Sequence, residues 1–72
     1  MNMEKAEQLA DIYGLSLDEM LEMFATDSIV PAICTDPGCD NTEEYEPDCR
    51  EGYCNSCGKN RVQSLLVLMG MI

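Results

Sequence analysis

Apolar residues recur at three- and four-residue steps along the first part of the chain. Met3, Ala6, Leu9, Ala10 and Tyr13 share one face, with Glu4, Glu7, Gln8 and Asp11 opposite. That period predicts an amphipathic helix over residues 3–13. Gly14 follows, where a helix end favours a residue that tolerates positive φ. Ser16 is the natural N-cap of a second helix, and Glu19, three residues on, completes a capping box. Asp18 and Glu19 also suit the positive end of the helix dipole. The second helix is predicted from Leu17 to about Ala25, burying Leu17, Met20, Leu21 and Phe24. A tight Gly-Leu-Ser connection makes the pair a helical hairpin occupying residues 1–28.

The period changes after Thr26-Asp27-Ser28. Ile29-Val30-Pro31-Ala32-Ile33 is a short apolar run, extended at Val30 by the proline that follows it, and reads as a short strand or as packing material. Asn41–Glu46 alternates weakly, with Thr42, Glu44 and Glu46 on one face and Asn41, Glu43 and Tyr45 on the other. It predicts the exposed first strand of a hairpin. Pro47-Asp48 would open the reversal, Gly52 would help close it, and Tyr53 would begin the return strand. A third strand is expected over Lys59–Ser64 with Val62 pointing inward. Ser64 would then cap a last short helix, Leu65–Met71. This tail is apolar all round, so something must cover it. It either closes the core against the helical hairpin or forms a homodimer contact through Leu65–Ile72. The expected architecture is one small α+β domain over residues 1–72. Its parts are the helical hairpin (1–28), a β-hairpin or three-stranded sheet (29–64) and the apolar C-terminal segment (65–72).

A chain of 72 residues buries only about 60% of its unfolded surface, so a metal or disulfide staple is expected. All five cysteines fall between Cys34 and Cys57. Cys34-x4-Cys39 and Cys54-x2-Cys57 are two pairs separated by fourteen residues, the layout of a four-thiolate zinc site. Zn²⁺ takes four ligands at tetrahedral corners and favours thiolate sulfur. Cys54-x-x-Cys57-Gly58 forms a tight knuckle, and Pro37-Gly38 supplies the bend in the looser first one. With no histidine in the chain, an all-thiolate site follows if a metal is bound. Cys49 falls in the expected hairpin tip, and a four-coordinate zinc has no vacancy for it, so it reads as a free thiol. A ligand set with Cys49 in place of Cys39 is the alternative, though it would strand a knuckle. An odd cysteine count argues against a secreted disulfide framework. No apolar stretch of signal-peptide character opens the chain, and the run Leu65–Met69 is far short of the roughly 20 residues that cross a bilayer. A reducing cytoplasm is the expected compartment.

Charge narrows the partners. The net charge is −10, and its distribution is uneven: residues 1–51 carry −12 and residues 52–72 carry +2. A negative field of that size repels phosphate backbones. A DNA-reading second helix would need Arg, Lys, Asn or Gln at base edges, and this one offers Asp18, Glu19 and Glu22. Basic protein surfaces are the more natural partners. Glu43, Glu44, Glu46, Asp48 and Glu51 make the expected hairpin a candidate contact surface; the competing reading is a solvated edge strand protected by charge. Arg50, Lys59 and Arg61 are the one basic patch on which nucleic-acid binding could rest. Catalysis is disfavoured, because a catalytic zinc needs an open position and usually His or carboxylate ligands. An iron-binding rubredoxin is also small, acidic and four-cysteine, but both of its knuckles have two-residue spacers and its core is rich in aromatics.

The run Ile33–Ser64, with CTDPGCD, EPDCREGYC and CNSCGKNRVQS, resembles the small zinc-ribbon proteins encoded in bacterial and phage genomes. In those a ribbon is preceded by a short helical segment and followed by an apolar tail. The resemblance covers about half the chain and extends only loosely to the helices. It implies a ribbon with one structural Zn²⁺ held by Cys34, Cys39, Cys54 and Cys57, and Cys49 has no counterpart in it. Ribbons serve many functions, so it implies no activity. The functional expectation is a non-enzymatic acidic protein that acts by binding another protein, as a phage-type inhibitor or modulator of a basic nucleic-acid-binding host protein would. The alternatives are a nucleic-acid-binding ribbon and a rubredoxin-like electron carrier.

Overall fold

Asn2 starts the first helix by accepting a hydrogen bond from the Lys5 backbone N–H on its side-chain oxygen, at 3.1 Å. In the computed structural model, which describes residues 2–72, helix α1 spans Met3–Tyr13 and α2 spans Leu17–Phe24. Gly14 ends α1 at φ 71°, where its N–H reaches back to the carbonyls of Ala10 and Asp11. The Ser16–Glu19 capping box is closed in both directions, at 3.2 Å and 3.1 Å. Ala6, Leu9, Ala10 and Met20 are buried, and Leu17 and Phe24 pack partly against them. The expected apolar stripe is shortened at its end: Tyr13 is exposed and meets Phe24 edge-on, with ring centroids 6.0 Å apart.

Three strands follow: β1 Val30–Cys34, β2 Thr42–Tyr45 and β3 Val62–Ser64, in the antiparallel order β2-β1-β3. The short apolar run is thus the centre of the sheet. All five residues of β1 are buried, and a strand buried on both faces carries apolar residues continuously instead of alternately. Ile33 joins the helix-side core, while Ala32 and Cys34 join the cysteine side. Pro31 is accommodated in a central strand because β3 has already given way to helix there. Ala32 is opposite Ser64, the last residue of β3, so no strand partner needs the N–H that proline lacks.

The expected hairpin between residues 41–46 and a return strand at Tyr53 does not form. β2 pairs with β1 instead, with Val30 opposite Tyr45 and Ile33 opposite Thr42. The Pro37-Gly38 bend inside the first cysteine pair reverses the chain, so that the Cys34 N–H donates to the Asn41 carbonyl at 3.0 Å. The central strand, with two open edges, offers β2 a longer partner than the segment around Tyr53 could. Residues 49–52 lie along the outer edge of β3, through Gly52 and Val62 exchanging hydrogen bonds at 2.8 and 2.9 Å and the Ser64 N–H donating to the Cys49 carbonyl at 3.0 Å.

Ser64 caps the last helix as expected, accepting from the Val67 N–H at 3.2 Å while its hydroxyl donates to the Pro47 carbonyl. Helix α3 is shorter than expected, Leu65–Leu68, because Gly70 turns the chain at φ 73°. Leu65 and Leu68 complete the core formed by α1, α2 and Ile33, and Leu66 and Val67 are buried as well. The tail therefore closes this chain's own core, leaving Met71 and Ile72 as its exposed apolar residues. Among the described residues, no helix is long and apolar enough to cross a membrane.

Candidate metal centre

The sheet brings its four outer cysteines together on the face opposite the helices. Cys34 ends β1. Cys39 follows a turn that Asp36 organises by accepting the Gly38 N–H at 2.9 Å. Cys54 and Cys57 bracket a second turn closed by the Gly58 N–H donating to the Cys54 carbonyl at 2.9 Å, with Gly58 at φ 75°. The four Sγ atoms all lie within 4.8 Å of one another. Two pairs cross between the two turns, Cys34 with Cys57 and Cys39 with Cys54, each at 3.7 Å.

That spacing fits a metal. A tetrahedron with Zn–S bonds of about 2.3 Å has edges of about 3.8 Å. It does not fit a disulfide, whose sulfurs stand about 2.05 Å apart, and all five cysteines are free thiols. The electrostatics of the sulfurs differ from one to the next. The Cys57 N–H donates toward Cys54 Sγ at 3.5 Å. This contact, with the Ser56 N–H, lowers the Cys54 thiol to about 6. Burial, with the neighbouring sulfurs, pushes Cys34 up to about 12. Cys54 is thus eased toward the thiolate form in which cysteine binds a metal, whereas Cys34 holds its proton until a cation replaces it. Cys34 and Cys54 are buried, Cys39 is half-buried and Cys57 is exposed, so the centre lies near the surface with one open flank.

Cys49 stands outside this group. Its thiol points to the Val62 carbonyl at 3.6 Å, and burial raises its pKa. The structure gathers Cys39, not Cys49, with the other three.

The acidic residues divide into two kinds. Glu43 turns toward the second cysteine turn, where one carboxylate oxygen accepts from the Asn55 backbone N–H at 3.2 Å and from the Asn55 and Asn41 side chains at 2.9 and 2.8 Å. These bonds hold its carboxyl below the usual range. Glu44, Glu46, Asp48 and Glu51 are exposed. The basic patch is divided too. Lys59 donates to Asp36 at 2.6 Å and the Arg61 guanidinium stands 3.7 Å from the same oxygen, while Arg50 is exposed. Lys59 is the main cause of the lowered Asp36 pKa.

Lys5 was not expected at the site. It is 7% exposed, and its ammonium donates to the Cys39 carbonyl at 2.6 Å. The signal was its position one turn before Leu9 on the edge of the apolar stripe. Asn41 and Asn55 carried no comparable signal, because side-chain amides in loops are common.

The molecule is therefore a small α+β protein whose three-stranded sheet carries a four-cysteine cluster fit to bind a metal ion. No protein-family model matches the chain, and no curated protein or solved structure is significantly similar to it.

Proposed function

We propose that this is a zinc-ribbon-type protein in which Cys34, Cys39, Cys54 and Cys57 hold one structural Zn²⁺. The ion neutralises crowded thiolates and ties the ends of β1 and the two cysteine turns together. The observation that carries this reading is the pair of 3.7 Å sulfur separations across the two turns within a set spanning 4.8 Å. Four sulfur ligands fill the coordination of zinc and leave no position for substrate, so the role is non-enzymatic.

The protein acts, in this reading, by binding a basic protein surface in a reducing cytoplasm, as an inhibitor or modulator of a nucleic-acid-binding host protein. The −12 carried by residues 1–51 supports it. So does the division of the charges. Lys5 is buried, and Lys59 and Arg61 face Asp36, whereas Glu44, Glu46, Asp48 and Glu51 are free to meet a partner.

Native mass spectrometry of the reduced protein tests the metal. One zinc per chain is expected, and iron or no metal would overturn the assignment. Affinity capture from the native host tests the surface, comparing wild type with Glu44→Lys/Glu46→Lys. Partners that survive this reversal undiminished would sink the acidic-face reading.

A further inference from the structure

We infer that Glu43 and Asn41 are positioning residues for the metal centre, fixing the Cys54–Cys57 turn from the neighbouring strand. This inference rests on the metal-site reading of the four cysteines. Sequence pattern placed Glu43 among the acids available to a partner; its hydrogen bonds give it a different task. Glu43 is on β2, in register with Ala32 of the central strand. From there its carboxylate crosses to Asn55, the residue after Cys54, and takes both the backbone and the side-chain N–H. The same oxygen accepts from the Asn41 amide at 2.8 Å, and that amide also lies 3.5 Å from Cys54 Sγ.

The arrangement links carboxylate, amide and sulfur in sequence. Glu43 orients the Asn41 side chain so that an N–H faces Cys54, and it anchors Asn55 so that the turn carrying Cys54 and Cys57 keeps its shape. An N–H directed at a thiolate withdraws charge from sulfur and leaves it a weaker electron donor to any bound metal. Groups that orient metal ligands in this way are commonly worth 10- to 100-fold in metal affinity. Glu44, the next residue on the same strand, is exposed and makes none of these bonds, so it separates the effect of position from that of charge.

The test uses the full chain loaded with Zn²⁺, and with Co²⁺ as a spectroscopic probe. Zinc affinity is measured by competition with a chromophoric chelator for wild type, Glu43→Ala, Glu43→Gln and Glu44→Ala. Glu43→Ala should lose about tenfold, Glu44→Ala should stay within about twofold, and Glu43→Gln, which keeps an acceptor oxygen, should recover most of the loss. In the Co²⁺ form, Asn41→Ala should shift the sulfur-to-metal charge-transfer band to lower energy, because a sulfur without its N–H donor gives up an electron more readily. A purely architectural role would leave that band in place. Equal affinity for wild type and Glu43→Ala, equal losses for Glu43→Ala and Glu44→Ala, or an unmoved band in Asn41→Ala would each overturn the inference. Should Glu43→Ala fail to fold, the Glu43→Gln affinity and the Asn41→Ala spectrum still decide. A wild-type chain without thiolate-to-cobalt bands would instead refute the metal site itself.

Discussion

The ammonium of Lys5 donates to the carbonyl oxygen of Cys39 across 2.6 Å, fastening the first helix to the first cysteine turn. Two separate packing groups meet at that bond. The helices close over Ile33, Leu65 and Leu68, while the cysteines gather with Ala32 and Val62 on the other face of the sheet. Lys5 reaches from the helix side to the cysteine side.

Replacing Lys5 by Met keeps most of the buried stem and removes the donor. The expected loss is about 1 kcal/mol, the net value of a hydrogen bond. Lys5→Ala also gives up buried methylenes and should lose about 2 kcal/mol. Chemical unfolding at a fixed free zinc concentration measures both, since bound metal otherwise shifts the midpoint by mass action. A Met variant as stable as wild type would mean that the contact is incidental.

Gly52 is required by proximity. A Cβ added there would lie 2.9 Å from Cys49 Sγ and 2.9 Å from the Tyr45 ring. The backbone cannot retreat easily, because Gly52 is bonded in both directions to Val62. Gly52→Ala should therefore cost about 1–3 kcal/mol, as overpacking of a filled site does. Cys49→Ala in the same chain removes one of the two clashes and should restore part of the loss, so the two changes should be non-additive. Strict additivity in thermal unfolding would count against the contact.

How far the sequence could be read follows from the range of each interaction. The helical hairpin was legible because its signals are local: a 3.6-residue period, Gly14 at the exit and the Ser16–Glu19 box. The four-cysteine cluster was legible because metal chemistry restricts the spacing of such pairs. Strand pairing was not, since the alternation at 41–46 marks a strand without naming its neighbour. Ile29–Ile33 read only as a short strand or as packing material, because a fully buried strand shows no alternation. The five buried residues of Val30–Cys34 instead make that strand the centre of the sheet. The hydrogen bonds of Glu43 and Lys5 were not foreseen for a related reason. A charged side chain looks solvated until the fold brings a carbonyl or an amide to it.

Metal uptake should be linked to pH in a specific way. Ligand thiols must lose their protons to bind, but Cys54, lowered to about 6, has already lost its own at neutral pH. Zinc binding should then release fewer protons at pH 7 than below pH 6, where Cys54 carries its proton. Calorimetry in buffers of different ionisation enthalpy counts them. The sign for the metal-free fold follows from the same shift. A depressed Cys54 pKa stabilises that fold above the unfolded thiol value of about 8.5, and the contribution disappears as pH falls through the folded value. Cys34, pushed up to about 12, acts oppositely. Its contribution is present below about 8.5 and is lost as pH rises through the folded value. A proton release that stays the same from pH 7 to below pH 6 would show that the turn around Cys54 is not formed before the metal arrives.

The basic residues lead to the last prediction. Nucleic-acid binding by this chain would have to use Arg50, Lys59 and Arg61, the only bases outside the buried Lys5. Lys59 and Arg61 both face the Asp36 carboxylate, at 2.6 and 3.7 Å. Their charge is partly cancelled where it would meet phosphate, and each phosphate contact normally adds about one unit to the salt dependence of binding. The surrounding field, at −10 overall, opposes approach. A gel-shift titration with single- and double-stranded DNA and RNA at about 50 mM salt, where electrostatic binding is strongest, should therefore give no retarded band. Asp36→Asn releases both cations and gives the contrasting case. If wild type binds and its affinity falls steeply with salt, the acidic-face reading yields to the nucleic-acid one. If only the Asn variant binds, Asp36 is what keeps this surface from phosphate.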